Sequence, residues 1–200
     1  PSRWRTPGVA AASTTRASGR VGLILVETPA NPTNSLVDLQ LMAAVADELG
    51  QAQGHRPALA VDNTFLGPVY QQPLRLGADL VLYSLTKYAG GHSDLVAGAV
   101  TGPKAWVGPV KALRGALGTQ ADPNTAWMLM RSLETLTLRM EKAKANAGTI
   151  AHYLKDHPKV AAVNYLGFLP EGDPRRAVYE RQCKAPGSTF SFYVKGGEAE

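Results

Sequence analysis

The sequence predicts an α/β fold with a mainly parallel sheet, and three observations carry that prediction. Residues 21–26, 58–62 and 79–83 are apolar runs of strand length, the pattern of strands buried on both faces. A stretch of helical periodicity separates the first two runs, and polar residues follow all three. Near the C-terminus a strand, helix, strand pattern begins again, so the chain reads as a large domain followed by the start of a smaller α/β domain.

Taken in order, residues 1–20 are rich in Pro, Ser, Thr, Arg and Ala without periodicity and read as an irregular lead. The run Val-Gly-Leu-Ile-Leu-Val at 21–26 is the first strand. It opens into Glu27-Thr-Pro-Ala-Asn-Pro-Thr-Asn34, which two prolines keep out of helix. Leu36, Leu39, Met42, Ala43, Ala46 and Leu49 recur at helical spacing, with Gly50 and Gly54 as stop signals. The second strand, 58–62, completes a βαβ unit, and the third, 79–83, follows a loop and the short segment 71–76. Residues 95–100 suit another strand, and 104–117 a helix interrupted near Gly108-Pro109. From Pro123 to about Asp156 the spacing of Trp127, Met130, Leu133, Leu136 and Met140 is helical, and Pro158 marks the stop. Residues 160–166, 174–183 and 188–194 then read as strand, helix and strand. The large domain is expected over 21–135, and a linking helix with an incomplete C-terminal domain over 136–200.

Composition narrows the classes of function. The formal charge of +5 rests on Arg3, Arg5, Arg16 and Arg20 in a lead without acids, which leaves +1 for the remainder. No basic stripe interleaved with aromatics accompanies it, so nucleic acid is not the expected partner. No stretch reaches the ~18–20 apolar residues a bilayer span requires, nor does the N-terminus carry an apolar signal core, so no membrane association is expected. The single cysteine, Cys183, excludes an internal disulfide framework and fits a reducing, cytoplasmic setting. Placed in the predicted helix 174–183, it reads as a packing residue rather than a nucleophile.

Chemistry-bearing residues gather at the predicted carboxyl ends of strands, where open α/β sheets bind ligands. These are Asn31, Asp62, Ser84, Thr86 and Lys87. Singly, each is an ordinary cap, turn or surface residue. Jointly they match the needs of pyridoxal phosphate: a lysine amine to condense with its aldehyde, a carboxylate opposite the pyridine nitrogen, and donors for the phosphate. Lys87 and Asp62 fill the first two roles. Ser84 and Thr86, one residue apart, would in extended chain project to one side while Leu85 turns into the core.

Competing patterns fail on spacing. Tyr83 and Lys87 form a Tyr-x-x-x-Lys pair, as in short-chain dehydrogenases, but position 70 is tyrosine rather than the upstream serine. The first strand also leads into Glu-Thr-Pro-Ala-Asn-Pro rather than a glycine-rich nucleotide loop. Gly90 and Gly91 follow the lysine, whereas a Walker phosphate loop places its glycines before it. Histidines 55, 92, 152 and 157 lack ligand spacing, so no metal is expected and His92 reads as a local hydrogen-bonding residue.

The stretch Ser84-Leu-Thr-Lys-Tyr-Ala-Gly-Gly-His-Ser-Asp94 resembles the cofactor-lysine signature of the Cys/Met-metabolism enzymes dependent on pyridoxal phosphate. That family includes cystathionine γ-synthases, cystathionine γ- and β-lyases and methionine γ-lyases. Glu27-Thr-Pro-Ala-Asn-Pro-Thr33, Val61-Asp-Asn-Thr-Phe65, Pro73-Leu-Arg-Leu-Gly-Ala-Asp79, Arg131-Ser-Leu-Glu-Thr-Leu-Thr-Leu-Arg-Met140 and Gly187-Ser-Thr-Phe-Ser-Phe192 are similar to family patterns as well.

The resemblance implies an aspartate-aminotransferase-like (fold type I) large domain with a smaller C-terminal domain, assembled as a homotetramer that shares active sites. It implies that Lys87 carries the cofactor and shuttles protons, Asp62 pairs with the pyridine nitrogen, Ser84 and Thr86 bind phosphate, and Asn31 lies by the ring's 3′ oxygen. The reaction implied is α,γ-elimination from methionine, cystathionine or a related homoserine derivative, giving 2-oxobutanoate and ammonia, with γ-replacement as the alternative. A partner-binding remnant without cofactor is the alternative from another class. Family members are about twice this length, so the chain is expected to be a fragment. The ring-stacking tyrosine and the arginine for the substrate carboxylate are expected outside these 200 residues.

Overall fold

A computed structural model of the chain describes residues 19–196. The irregular lead expected over residues 1–20 lies outside the described residues up to position 18. A four-stranded sheet runs β1 (Leu23–Glu27), β2 (Ala58–Asp62), β3 (Leu80–Ser84), β4 (Gly98–Thr101), in that spatial order. The first three strands are parallel, as their apolar runs predict, whereas β4 returns antiparallel to β3. Glu27 is in register with Asp62, and Asp62 with Leu82. The carboxyl ends of β1 and β2 are therefore level, and β3 extends two residues further, to Ser84.

Helix α1 (Leu39–Gln53) covers one face of this sheet. Its start is set by Asp38, whose Oδ1 accepts the Leu41 N–H at 3.2 Å, and its end by Gly54 at φ 77°, whose N–H reaches the Gly50 carbonyl. Leu39, Met42 and Val45 pack with Leu59, Val61, Ile24 and Val26, so alternate residues of β1 and β2 face the helix. The opposite set includes Leu23 and Leu25, 53% and 63% exposed, and that face of β1 stands open. Leu36, expected in the helix, instead precedes it, fully buried in a second core.

That second core joins distant parts of the chain. Leu66 and Tyr70, flanking or within α2 (Gly67–Tyr70), pack with Leu136, Met140, Leu166, Val178 and Cys183. Helix α3 (Lys104–Leu117) runs through Gly108-Pro109 rather than breaking there. Pro109 costs it one backbone donor, and Trp106, Val110, Leu113 and Leu117 leave an apolar stripe exposed. The long helix expected from 123 to 156 is divided into α4 (Pro123–Leu133) and α5 (Leu136–Lys155) at Glu134-Thr135. Of the residues that set the expected spacing, Leu136 and Met140 are buried, whereas Trp127, Met130 and Leu133 are exposed and Leu129 takes the buried apolar position of α4. A two-stranded antiparallel sheet, β5 (Val160–Asn164) with β6 (Ser191–Val194), brackets α6 (Pro174–Gln182).

Cys183 is a correction to the sequence reading. It caps α6 in extended conformation and bridges Gln71, rather than lying within the helix. It is buried as expected, and burial pushes its thiol up to about 12. No helix among the described residues is long and apolar enough to cross a membrane.

Candidate active site

The carboxyl ends of β2 and β3 are joined through one residue that the sequence reading passed over. Thr64 donates its hydroxyl to Asp62 Oδ1 at 2.6 Å and its backbone N–H to the same oxygen at 3.0 Å. The same hydroxyl accepts the Ser84 N–H at 2.8 Å. Asp62 and Ser84, 22 positions apart, are thus tied through a single threonine. Both Thr64 bonds to Asp62 meet Oδ1, and among the described residues no hydrogen bond reaches Oδ2, which leaves one carboxylate oxygen for an outside donor. Asn63 points the other way, fully buried, donating to the Gly67 and Gln71 carbonyls and the Tyr83 hydroxyl. In Val61-Asp-Asn-Thr-Phe65, alternation therefore assigns Asp62 to the site and Asn63 to the core.

Beyond Ser84 the chain does not stay extended. Residues 85–90 form a turn, in which Lys87 N–H reaches the Ser84 carbonyl at 3.2 Å and Gly90 N–H the Leu85 carbonyl at 2.7 Å. The expectation that Ser84 and Thr86 project side by side from a strand is corrected by this turn. Thr86 instead uses its hydroxyl on the backbone of Ala97, accepting its N–H at 3.1 Å and meeting its carbonyl at 3.3 Å. The Ser84 hydroxyl makes no hydrogen bond among the described residues. Lys87 is exposed, and its amine has no hydrogen bond or ion pair among the described residues.

Gly91 N–H closes on the Lys87 carbonyl at 2.7 Å with φ 78°, the left-handed conformation that favours glycine. His92 is exposed, and its Nδ1 makes a 2.8 Å hydrogen bond with the Gly90 carbonyl, in keeping with a local role. Among the described residues no His, Cys, Asp and Glu cluster could hold a metal. The rival Tyr-x-x-x-Lys reading fails on geometry. Tyr83 is on a strand, bonded to Asn63, and Lys87 is in a turn, so they do not share a helix face.

A cleft of about 1010 Å³ opens on this turn, lined by Thr86, Lys87, Asp94, Arg139, Lys142 and Asn146 among others. Asp62, Ser84 and Asn31 are outside its lining. Asp62 and Ser84 stand on one face of the sheet. Asn31 lies exposed in the loop leaving β1, its N–H 3.4 Å from Glu27 Oε1. The structure thus brings Asp62, Ser84, Thr86 and Lys87 to one end of the sheet and sets Asn31 on the neighbouring loop. The deeper end of that loop is tied to α6: Gln182 accepts the Leu39 N–H and donates to Val37 O and Thr28 Oγ1.

A free amine beyond a parallel strand, a tethered carboxylate on the adjacent strand and hydroxyls between them define the class of site that holds an aldehyde cofactor by a lysine. The chain belongs to the Cys/Met metabolism PLP-dependent enzyme family, whose sequence model matches residues 7–200. It is 42% identical over 176 residues to an L-methionine gamma-lyase of Brevibacterium sandarakinum, covering 88% of this chain and 42% of that protein. A cystathionine gamma-synthase of Mycobacterium tuberculosis is 43% identical over 179 residues, covering 89% of this chain and 44% of its own length. The crystal structure of cystathionine gamma synthase from Xanthomonas oryzae pv. oryzae, in complex with cystathionine, superposes with a TM-score of 0.81 at 39% identity, covering 89% of this chain and 44% of that one. The chain therefore spans less than half the length of these relatives. Its α/β fold is that of the large-domain architecture the sequence implied.

Proposed function

We propose that the chain carries the lysine-bearing part of a PLP-dependent enzyme that eliminates the γ-substituent of a sulfur amino acid. The donor set fits pyridoxal phosphate, a cofactor that when bound supplies an electron sink for carbanions next to an amino acid's nitrogen. The single observation that carries the reading is the Asp62, Thr64, Ser84 tether, which holds a carboxylate with one open oxygen on the strand beside the lysine-bearing turn.

In this reading Lys87 binds the cofactor covalently and afterwards moves protons at the substrate's α- and β-carbons, as its free amine in an open cleft permits. Asp62, whose Oδ2 is uncommitted, would be the carboxylate that holds the ring nitrogen protonated. Ser84 donates its uncommitted hydroxyl to the phosphate. Thr86 holds the turn through Ala97, and its hydroxyl would be the second donor for the phosphate. Asn31, exposed on the β1 loop, would lie by the ring's 3′ oxygen. The division at residue 135 belongs to the same proposal, supported by the start of α5 at Leu136 and by the separate β5–β6 sheet.

Relatives named methionine gamma-lyase and cystathionine gamma-synthase stand at similar identity, so γ-replacement on an activated homoserine is the second reading. The homotetrameric, cytoplasmic state expected of the family goes with both, and the exposed stripe on α3 supports burial by another surface.

Protein incubated with pyridoxal phosphate is expected to develop a yellow band that borohydride bleaches, with the label on Lys87. Lys87→Ala should abolish it. No band in the wild type refutes the reading. In the full-length protein, 2-oxobutanoate from methionine or cystathionine marks γ-elimination, pyruvate marks β-elimination, and a new thioether marks replacement.

A further inference from the structure

Arg139 is the fourth residue of α5, 52 positions from Lys87, yet its guanidinium meets the lysine turn. Nη1 donates to the Tyr88 carbonyl at 2.5 Å and Nη2 to the Ala89 carbonyl at 3.2 Å. Nη2 also donates to the Ser132 carbonyl at 2.8 Å, and Nε to Thr135 Oγ1 at 3.0 Å. The break between α4 and α5 supplies these last two acceptors, because Ser132 lies where α4 ends and Thr135 where α5 begins.

Every acceptor is neutral, and among the described residues no carboxylate pairs with Arg139. A solvent-seeking arginine has no need of that arrangement. A planar fork spread over two successive carbonyls is the means by which arginine fixes backbone. The other side of the clamp is equally close. A Cβ at Gly91 would overlap Arg139 Nη1, so the bare glycine is required by the guanidinium as well as by its own φ. Tyr88 adds a second tie from its side chain, whose hydroxyl lies 2.7 Å from Ser188 Oγ. The turn is therefore held from α5 through its carbonyls and from the segment before β6 through its ring.

We infer that Arg139 is the positioning residue of the lysine turn: by fixing the Tyr88 and Ala89 carbonyls it sets the direction in which Lys87 enters the cleft. The inference rests on the reading of Lys87 as the cofactor lysine, and it assigns Arg139 no contact with the reacting atoms.

The test compares the full chain with Arg139→Ala and Arg139→Lys by amide hydrogen exchange without cofactor, and by the rate of borohydride-trapped labelling of Lys87 with pyridoxal phosphate. Hydrogen bonds to a charged donor are strong enough that Arg139→Ala should speed exchange at Gly90 and Gly91 by about tenfold or more. Exchange at Leu59 and Val61 in β2 should be unchanged, and Lys87 should label several-fold more slowly. Arg139→Lys should fall between the two, because an ammonium cannot fork across both carbonyls. Wild-type protection at Gly90 and Gly91 in Arg139→Ala, or wild-type labelling of Lys87, overturns the inference. If Arg139→Ala unfolds, seen as lost protection in β2, Arg139→Lys decides: loosening by about threefold supports the clamp, and full protection overturns it. Failure of the cofactor reading shows separately, as a wild-type chain whose Lys87 takes no label although Gly90 and Gly91 still loosen in Arg139→Ala.

Discussion

Thr64 illustrates how much of a site can depend on a residue that touches no substrate. Its hydroxyl donates to Asp62 and accepts from Ser84, both uses being met at once. Thr64→Val keeps the shape, leaves the Ser84 N–H without its acceptor and takes one bond from Asp62. The expected cost is about 1–3 kcal/mol of stability, read from urea unfolding. Pyridoxal phosphate affinity should fall with it, read by spectral titration. The strand-end positions of Lys87, Asp62 and Ser84 were legible because each follows or ends an apolar run, a local signal. Thr64 and Arg139 were not, since their roles are partnerships with Ser84 and with the Tyr88 and Ala89 carbonyls, 20 and about 50 positions away. One signal was at hand for Arg139: it sits in the Arg131 to Met140 stretch that matches the family pattern, where a cation on an otherwise apolar helix start calls for an acceptor.

Among the elements, β2 was read to the residue because a continuous buried strand is bounded by its own polarity. The Asp79–Tyr83 run was displaced by one position, since Asp79 turns aside to receive Arg56 at 2.5 Å and the Leu59 N–H at 2.8 Å. The strand expected at 95–100 begins only at Gly98, where pairing with Ser84 starts. Residues 95–97 serve the turn instead, through Ala97 and Thr86. Helix α6 shows what sequence periodicity misses entirely. Its buried Gln182 completes three polar contacts with Thr28, Val37 and Leu39 that join the end of the chain to the loop of Asn31. Gln182→Ala should cost about 1–3 kcal/mol in chemical denaturation, because the Leu39 N–H and Val37 carbonyl lose their partner in a dry interface. Gln182→Glu should do no better, as it loses the donor and buries a charge.

For the whole molecule, fold class was legible and completeness of packing was not. Alternation in β1 reports one face turned to α1, but nothing local states that the face bearing Leu23 and Leu25 stands open. Cys183 is buried in the core that α2, α5 and α6 share, so ionising its thiol there works against folding. A thiol raised to about 12 in the folded state, against ~8.5 in an unfolded chain, contributes stability that is fully present below the unfolded value. That contribution is lost as pH rises from there toward about 12, by up to ~1.4 kcal/mol per pH unit. Urea unfolding at pH 8 and pH 10 should show a decline that Cys183→Ala reduces. Equal declines in both proteins would mean that the thiol is not the group responsible.

The antiparallel return of β4 carries one more consequence. Ser84 and Gly98 are the last pair of the β3–β4 ladder, so residues 85–97 form a loop whose two ends are pinned at neighbouring-strand distance. A single peptide-bond cut among the exposed residues 91–94 would separate the chain into two pieces that the sheet still holds side by side. The piece ending near Gly91 would keep Lys87 together with both strands that carry the carboxylate and the hydroxyls. The piece beginning after the cut would keep Arg139. The lysine and its clamp are thus parts of one object that can survive the loss of covalent continuity between them.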